Sequence, residues 1–141
     1  MQSNAGAVWR GSLREGNGVI STGSGALKDV PYSFKTRFEG AKGTNPEELI
    51  GAAHSACFSM ALGAELGKAQ ITPESIETKA TVTLDKDGDG FSVTESKLVT
   101  LVSAPGANKE AIEKAAAGAK ENCPISKLLN AKISLELTVK V

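Results

Sequence analysis

Neither sign of charge prevails in this chain: sixteen Lys and Arg balance sixteen Asp and Glu, and no basic block stands out. That argues against a nucleic-acid footprint and against a polybasic patch for a membrane surface. The longest apolar stretch, residues 49–66, is interrupted by His54, Ser55, Ser59 and Glu65, which argues against a membrane span. The opening MQSNAGAVWRG lacks the charged start and apolar segment of a secretory signal. A cytoplasmic protein is therefore expected, in a compartment where thiols stay reduced unless they are redox-active. Cysteine is scarce. Cys57 and Cys123, 66 residues apart, make no disulfide scaffold and are too few for a structural zinc site, so neither metal nor cofactor is expected.

What the chain does have is alternating short β-type runs and two helical patterns. Its 141 residues suit one domain, 1–141, with a real core. In the first 38 residues AVWRG, GNGVIST, SGALKDVP and YSFKTRF are separated or ended by Gly, Pro and Ser, and read as a small antiparallel meander. The loop RFEGAKGTNP then delivers the chain into a helix over about 46–68, with Asn45 as N-cap, Pro46 at the first position, and Glu47 and Glu48 in the first turn.

A hairpin follows. Ile76, Thr78, Ala80, Val82 and Leu84 share one face, KDGDG makes the turn, and GFSVTESKLVTLVS returns. NKEAIEKAAAGAKEN predicts an amphipathic helix with Ile112, Ala115, Ala116 and Ala119 inward. NCPISKLLNA predicts a fresh short helix with Cys123 at its N-cap, and KISLELTVKV closes the chain as a strand. The class is α+β, antiparallel strands covering two main helices. The 46–68 helix is apolar on nearly every side and needs more cover than so small a chain supplies, so a homodimer with an extensive interface is expected.

Two features suggest chemistry that the pattern does not support. Asp85, Asp87, Asp89 and Gly90 open like a calcium loop, but position twelve falls on Ser96 and the flanks read as strands, so a hairpin turn is expected. His54 lies three residues before Cys57 on one helical face, which allows a Cys–His hydrolase pair; no third group to orient the imidazole is identifiable, and a packed or interface histidine is the better reading.

The cysteines differ in kind. Cys57 is mid-helix in apolar surroundings, which should raise its pKa, so it becomes a nucleophile only if a cation is brought to it. Arg37 is the first candidate and Arg14 the second, with Glu47 as the counter-charge a buried arginine needs. Glu47 and Cys57 stand ten residues apart, about 15 Å along a straight helix, so they cannot meet within one unbroken helix. Arg37 bridges part of the gap, or the first turn bends, or Glu47 serves a partner chain; the last agrees best with a dimer. Cys123, before Pro124, sits where orphan N–H groups favour a thiolate. This division suits a peroxide reaction in which Cys57 becomes a sulfenic acid and Cys123 condenses with it. Inert buried thiols and a redox-sensing switch without turnover are the competing readings.

RFEGAKGTNPEELIGAAHSACFSMAL together with the later NCPIS resembles the OsmC/Ohr family of thiol-dependent organic hydroperoxide peroxidases, and RFEG and GAAH fit its OsmC branch. The resemblance runs the whole length. It implies an OsmC-like fold with β-sheets wrapped around two central helices in an intertwined homodimer, with active sites at the interface. It also implies reduction of organic hydroperoxides, hydrogen peroxide being a poorer substrate, and a role in oxidative or osmotic stress defence. Cys57 is then the peroxidatic thiol, Cys123 the resolving one, and Arg37 and Glu47 the charged pair. The Ohr branch draws its arginine from an earlier loop, closer to Arg14. The reductant implied is a dithiol, which in the Ohr branch is a lipoylated protein.

Overall fold

The computed structural model describes all 141 residues as two compact units, Met1–Leu49 and Ile50–Val141, with the boundary in the first turn of the long helix. The first unit begins with β1 (Ala5–Arg10), β2 (Asn17–Thr22) and β3 (Val30–Ser33), an antiparallel sheet in the order β1-β2-β3. Gly18 faces Trp9 across one pairing and Tyr32 across the other. Having no side chain, it lets the two rings meet over it at 5.3 Å between centroids.

The meander ends sooner than the sequence suggests. Phe34–Phe38, expected as strand, is a short helix, α1. The cause is a capping box: the Ser33 hydroxyl accepts from the Thr36 N–H at 3.2 Å, and the Ser33 N–H donates to Thr36 Oγ1 at 2.9 Å. Arg37 therefore projects from a helix rather than from a strand end.

Helix α2 (Pro46–Lys68) runs unbroken over 23 residues. Asn45 caps it, its Oδ1 accepting the Glu48 N–H at 2.8 Å. By length and composition α2 is apolar enough to cross a membrane, contrary to the expectation drawn from its polar interruptions. It nevertheless docks through one stripe: Gly51, His54, Phe58, Leu62 and Leu66 are buried, while Ala53, Ala56, Met60 and Ala64 on other sides are exposed.

In the second unit β4 (Ser75–Asp87) and β5 (Gly90–Ser103) form the long antiparallel hairpin, with Gly88 at a positive φ of 58° in its turn. Asp85 and Asp87 accept hydroxyl bonds from Thr94 and Ser92, so two carboxylates of the DKDGDG stretch tie the hairpin end together. Helices α3 (Lys109–Asn122) and α4 (Pro124–Leu128) then return the chain so that β6 (Lys132–Lys140) pairs with β5 in parallel. This corrects the all-antiparallel expectation: the helical crossover brings the chain back to the starting end of β5. Central β5 buries every second residue, Ser96, Leu98, Thr100 and Val102, against Phe58, Leu62 and Leu66 of α2 and Ile112, Ala115, Ala116 and Ala119 of α3.

Candidate active site

Cys57 and Cys123, far apart in sequence, come together in the second unit. Cys57 rises from the middle of α2 and is half-buried. Cys123 is fully buried at a joint, ending α3 with its N–H bonded to the Ala119 carbonyl and opening α4 ahead of Pro124. The Cys123 thiol donates to the Cys57 sulfur at 2.9 Å. Both are free thiols, so sulfur–sulfur bonding needs an approach of only about 0.9 Å to the disulfide length.

The local fields divide the pair. Burial pushes the Cys57 thiol up, and the adjacent Cys123 sulfur adds to this. Burial opposes ionisation of Cys123 too, but its contact with Cys57, the Ser126 N–H and hydroxyl and the Ile125 N–H outweigh it, and this thiol falls below its usual range. The two sulfurs titrate as a coupled pair. Access runs the other way. An incoming molecule can meet only Cys57.

Arg37 and Glu47 come together in the first unit. The guanidinium grips the carboxylate as a fork, Nη2 to Oε1 at 2.7 Å and Nε to both oxygens at 3.2 Å. Glu47 sits in the first turn of α2, where the helix dipole favours a carboxylate. The fork leaves Nη1 out of the pair, and the guanidinium lies over the Phe38 ring at 5.2 Å. Arg14, the second candidate, instead lies over the Phe34 ring at 5.1 Å. Trp9, Leu13, Tyr32, Phe34 and Phe38 line a groove of about 270 Å³ with Arg37 in its wall. The aromatic lining did not emerge from the sequence, because its members come from β1, β3 and helix α1.

His54 is packed rather than paired with Cys57. It is fully buried, with Nδ1 2.7 Å from Ser96 Oγ and Nε2 2.9 Å from Ser126 Oγ. Both ring nitrogens are engaged, which leaves no lone pair for the thiol that a Cys–His hydrolase requires. Ser96 and Ser126 were not anticipated, although Ser126 stands three residues after Cys123, the spacing of an N3 residue to its N-cap.

The sequence profile described as OsmC-like protein matches residues 39–138. The chain is 51% identical over 134 residues to Peroxiredoxin OsmC of Escherichia coli K12, covering 95% of this chain and 94% of that protein. It is 32% identical over 128 residues to organic hydroperoxide resistance protein-like 1 of Staphylococcus saprophyticus, covering 89% and 88%. Among solved structures, the organic hydroperoxide resistance protein OhrB of Bacillus subtilis superposes with a TM-score of 0.72 at 29% identity, covering 97% and 98%. Extent, identity and fold agree along almost the whole chain, and the protein belongs to the OsmC-like family, on its OsmC branch.

Proposed function

We propose that this protein is a cysteine-based peroxidase that reduces organic hydroperoxides, and hydrogen peroxide less well, with Cys57 and Cys123 as its redox pair. The observation that carries the reading is the contact of two free sulfurs at 2.9 Å, of which Cys57 is the accessible one. The Cys57 thiolate attacks the terminal peroxide oxygen, the O–O bond breaks, and the alkoxide leaves and takes up a proton to become the alcohol. Cys57 is thereby oxidised to a sulfenic acid. The Cys123 thiolate then attacks the Cys57 sulfur, hydroxide leaves and is protonated to water, and a disulfide forms. An external dithiol, for which a lipoylated protein is the candidate, reduces that disulfide by two exchange steps.

Because Cys57 is not acidic on its own, a cation must reach it. Arg37, held by Glu47 with Nη1 outside the fork, is the group suited to this and to the alkoxide that develops. The aromatic groove beside Arg37 suits the alkyl part of the substrate. With α2 unbroken and Glu47 paired within its own chain, the arrangement that joins the charge pair to the thiols is an intertwined homodimer, each Arg37–Glu47 pair serving the partner's cysteines. The exposed Ala53, Ala56, Met60 and Ala64 of α2 are the surface that such a partner covers. In this reading the two compact units act together as a single OsmC-like domain in a cytoplasmic enzyme of stress defence.

The test is peroxide consumption by the purified protein with excess dithiothreitol. Many turnovers, faster on cumene hydroperoxide than on hydrogen peroxide, are expected. One equivalent consumed and no more would identify a redox switch instead.

A further inference from the structure

Each cysteine of the pair has a companion about one helical turn away, and the two companions are bonded to each other. His54 stands three residues before Cys57 on α2, and Ser126 three residues after Cys123 on α4. The sulfurs meet at 2.9 Å, and His54 Nε2 lies 2.9 Å from Ser126 Oγ. The same two elements are thus joined at two points. Accepting the peroxidase reading, we propose that His54 is a positioning residue, whose bond to Ser126 pins α4 in the rotation that keeps the Cys123 sulfur against Cys57.

The pin matters because little else holds α4. The helix is five residues long, and none of them is fully buried. Ile125 packs against the core, but an apolar contact is non-directional and leaves so short a helix free to turn. Ser126 is the one α4 side chain that hydrogen-bonds to another element. The Lys127 N–H bonds to the Cys123 carbonyl at 3.1 Å, so a rotation of this single turn carries Cys123 with it.

The other end of the pin is fixed. The His54 ring is fully buried, and its Nδ1 lies 2.7 Å from Ser96 Oγ on central β5, which is fully buried as well. Helix α2 and strand β5 hold the ring, and α4 is attached to its far edge. Either neutral tautomer serves, because the imidazole offers one N–H and one lone pair and each hydroxyl can donate or accept. No proton passes through these bonds in the reaction. The contribution is orientation, which preserves a contact only about 0.9 Å longer than a disulfide bond.

The experiment makes two cuts in one network of the full-length protein. Ser126→Ala and Ser96→Ala each remove one bond to the same buried ring, and urea unfolding should show similar losses of stability. Only Ser126→Ala releases α4. Reduced protein is first equilibrated with mixtures of reduced and oxidised glutathione, and the Cys57–Cys123 disulfide is measured by acid quench, alkylation and mass analysis. Ser126→Ala should lower the effective concentration of the two thiols severalfold, up to about tenfold, the range of one hydrogen bond. Ser96→Ala should leave it nearly unchanged. His54→Gln, whose amide reaches the Nε2 position, should keep most of the wild-type value. His54→Asn, which reaches only the Nδ1 position, should behave like Ser126→Ala, and this second pair carries the comparison if a serine variant fails to fold.

One equivalent of cumene hydroperoxide is then added to each reduced protein. Peroxide consumption should keep its rate in Ser126→Ala, while disulfide formation slows by the factor seen with glutathione. An unchanged effective concentration in Ser126→Ala would overturn the proposal. So would equal losses in Ser126→Ala and Ser96→Ala, the mark of a merely structural network. If the glutathione series comes out as expected but peroxide forms no disulfide in the wild type, the pin stands and the peroxidase reading falls.

Discussion

At the scale of single residues, the second unit places opposing demands on neighbouring atoms. Cys57 is reachable but its thiol is pushed up by burial, whereas the Cys123 thiol is drawn down by its contacts but is sealed in. In the proposed reaction a division of labour follows: the exposed sulfur meets the peroxide, and the buried one finishes the reaction. Given one equivalent of organic peroxide and no reductant, Cys123→Ser should therefore consume it and stop. The arrested species should be a sulfenic acid on Cys57, detected by trapping with dimedone and mass analysis; continued turnover would contradict the roles assigned. His54 carries a pH signature of its own, as the chain's only histidine. Its folded-state pKa lies below the ordinary 6.5, so below that pH the unfolded chain binds a proton that the folded chain refuses. Stability should fall as pH drops through that window, by at most about 1.4 kcal/mol per pH unit, and the loss should cease below the folded-state pKa. Urea unfolding at pH 7 and pH 5.5 should show this slope in the wild type and lose it in His54→Gln.

At the scale of elements, Gly18 shows how one missing side chain organises a sheet. A Cβ there would lie 2.5 Å from both the Tyr32 ring and the Val8 carbonyl oxygen. Gly18→Val should cost about 1–3 kcal/mol of stability through overpacking. It should also blunt the near-ultraviolet dichroism of the chain's only tryptophan, Trp9, whose ring packs on Tyr32. Much of the element plan is legible in the sequence, because its signals are local. Asn45-Pro46-Glu47 announces α2, the spacing of Ile112, Ala115, Ala116 and Ala119 gives the inner face of α3, and Cys123-Pro124 announces α4. What escaped was either subtle or non-local. In YSFKTRF the β-type composition hides the Ser33–Thr36 capping box that turns the chain into α1. Alternation in KISLELTVKV reports a strand without reporting its direction, so the parallel pairing of β6 could not be read. The His54 contacts span 42 and 72 residues and have no local signal at all.

At the scale of the whole molecule, the proposed dimer should be a condition of activity rather than an accessory to it. Met60 is 78% exposed on the otherwise small-residue side of α2. A charge there would have to be buried without a partner on association. Met60→Glu should give a folded, mainly monomeric protein by sedimentation, with peroxidase activity reduced at least tenfold even though both cysteines are intact. Full activity in a monomer would show that one chain carries a complete site.

The contact between the two sulfurs has one more consequence, and it concerns survival under attack. Thiol enzymes that must unfold locally before resolving leave their sulfenic acid waiting, and a second peroxide can burn it to the irreversible sulfinic acid. Here the two sulfurs already touch at 2.9 Å, so in the proposed reaction the vulnerable intermediate should be closed off almost as soon as it forms. The protein should be hard to poison with its own substrate. After exposure to a hundredfold excess of cumene hydroperoxide without reductant, intact mass should show the two-hydrogen loss of a disulfide and little added oxygen. The Cys123→Ser variant should gain two oxygens on Cys57 under the same treatment.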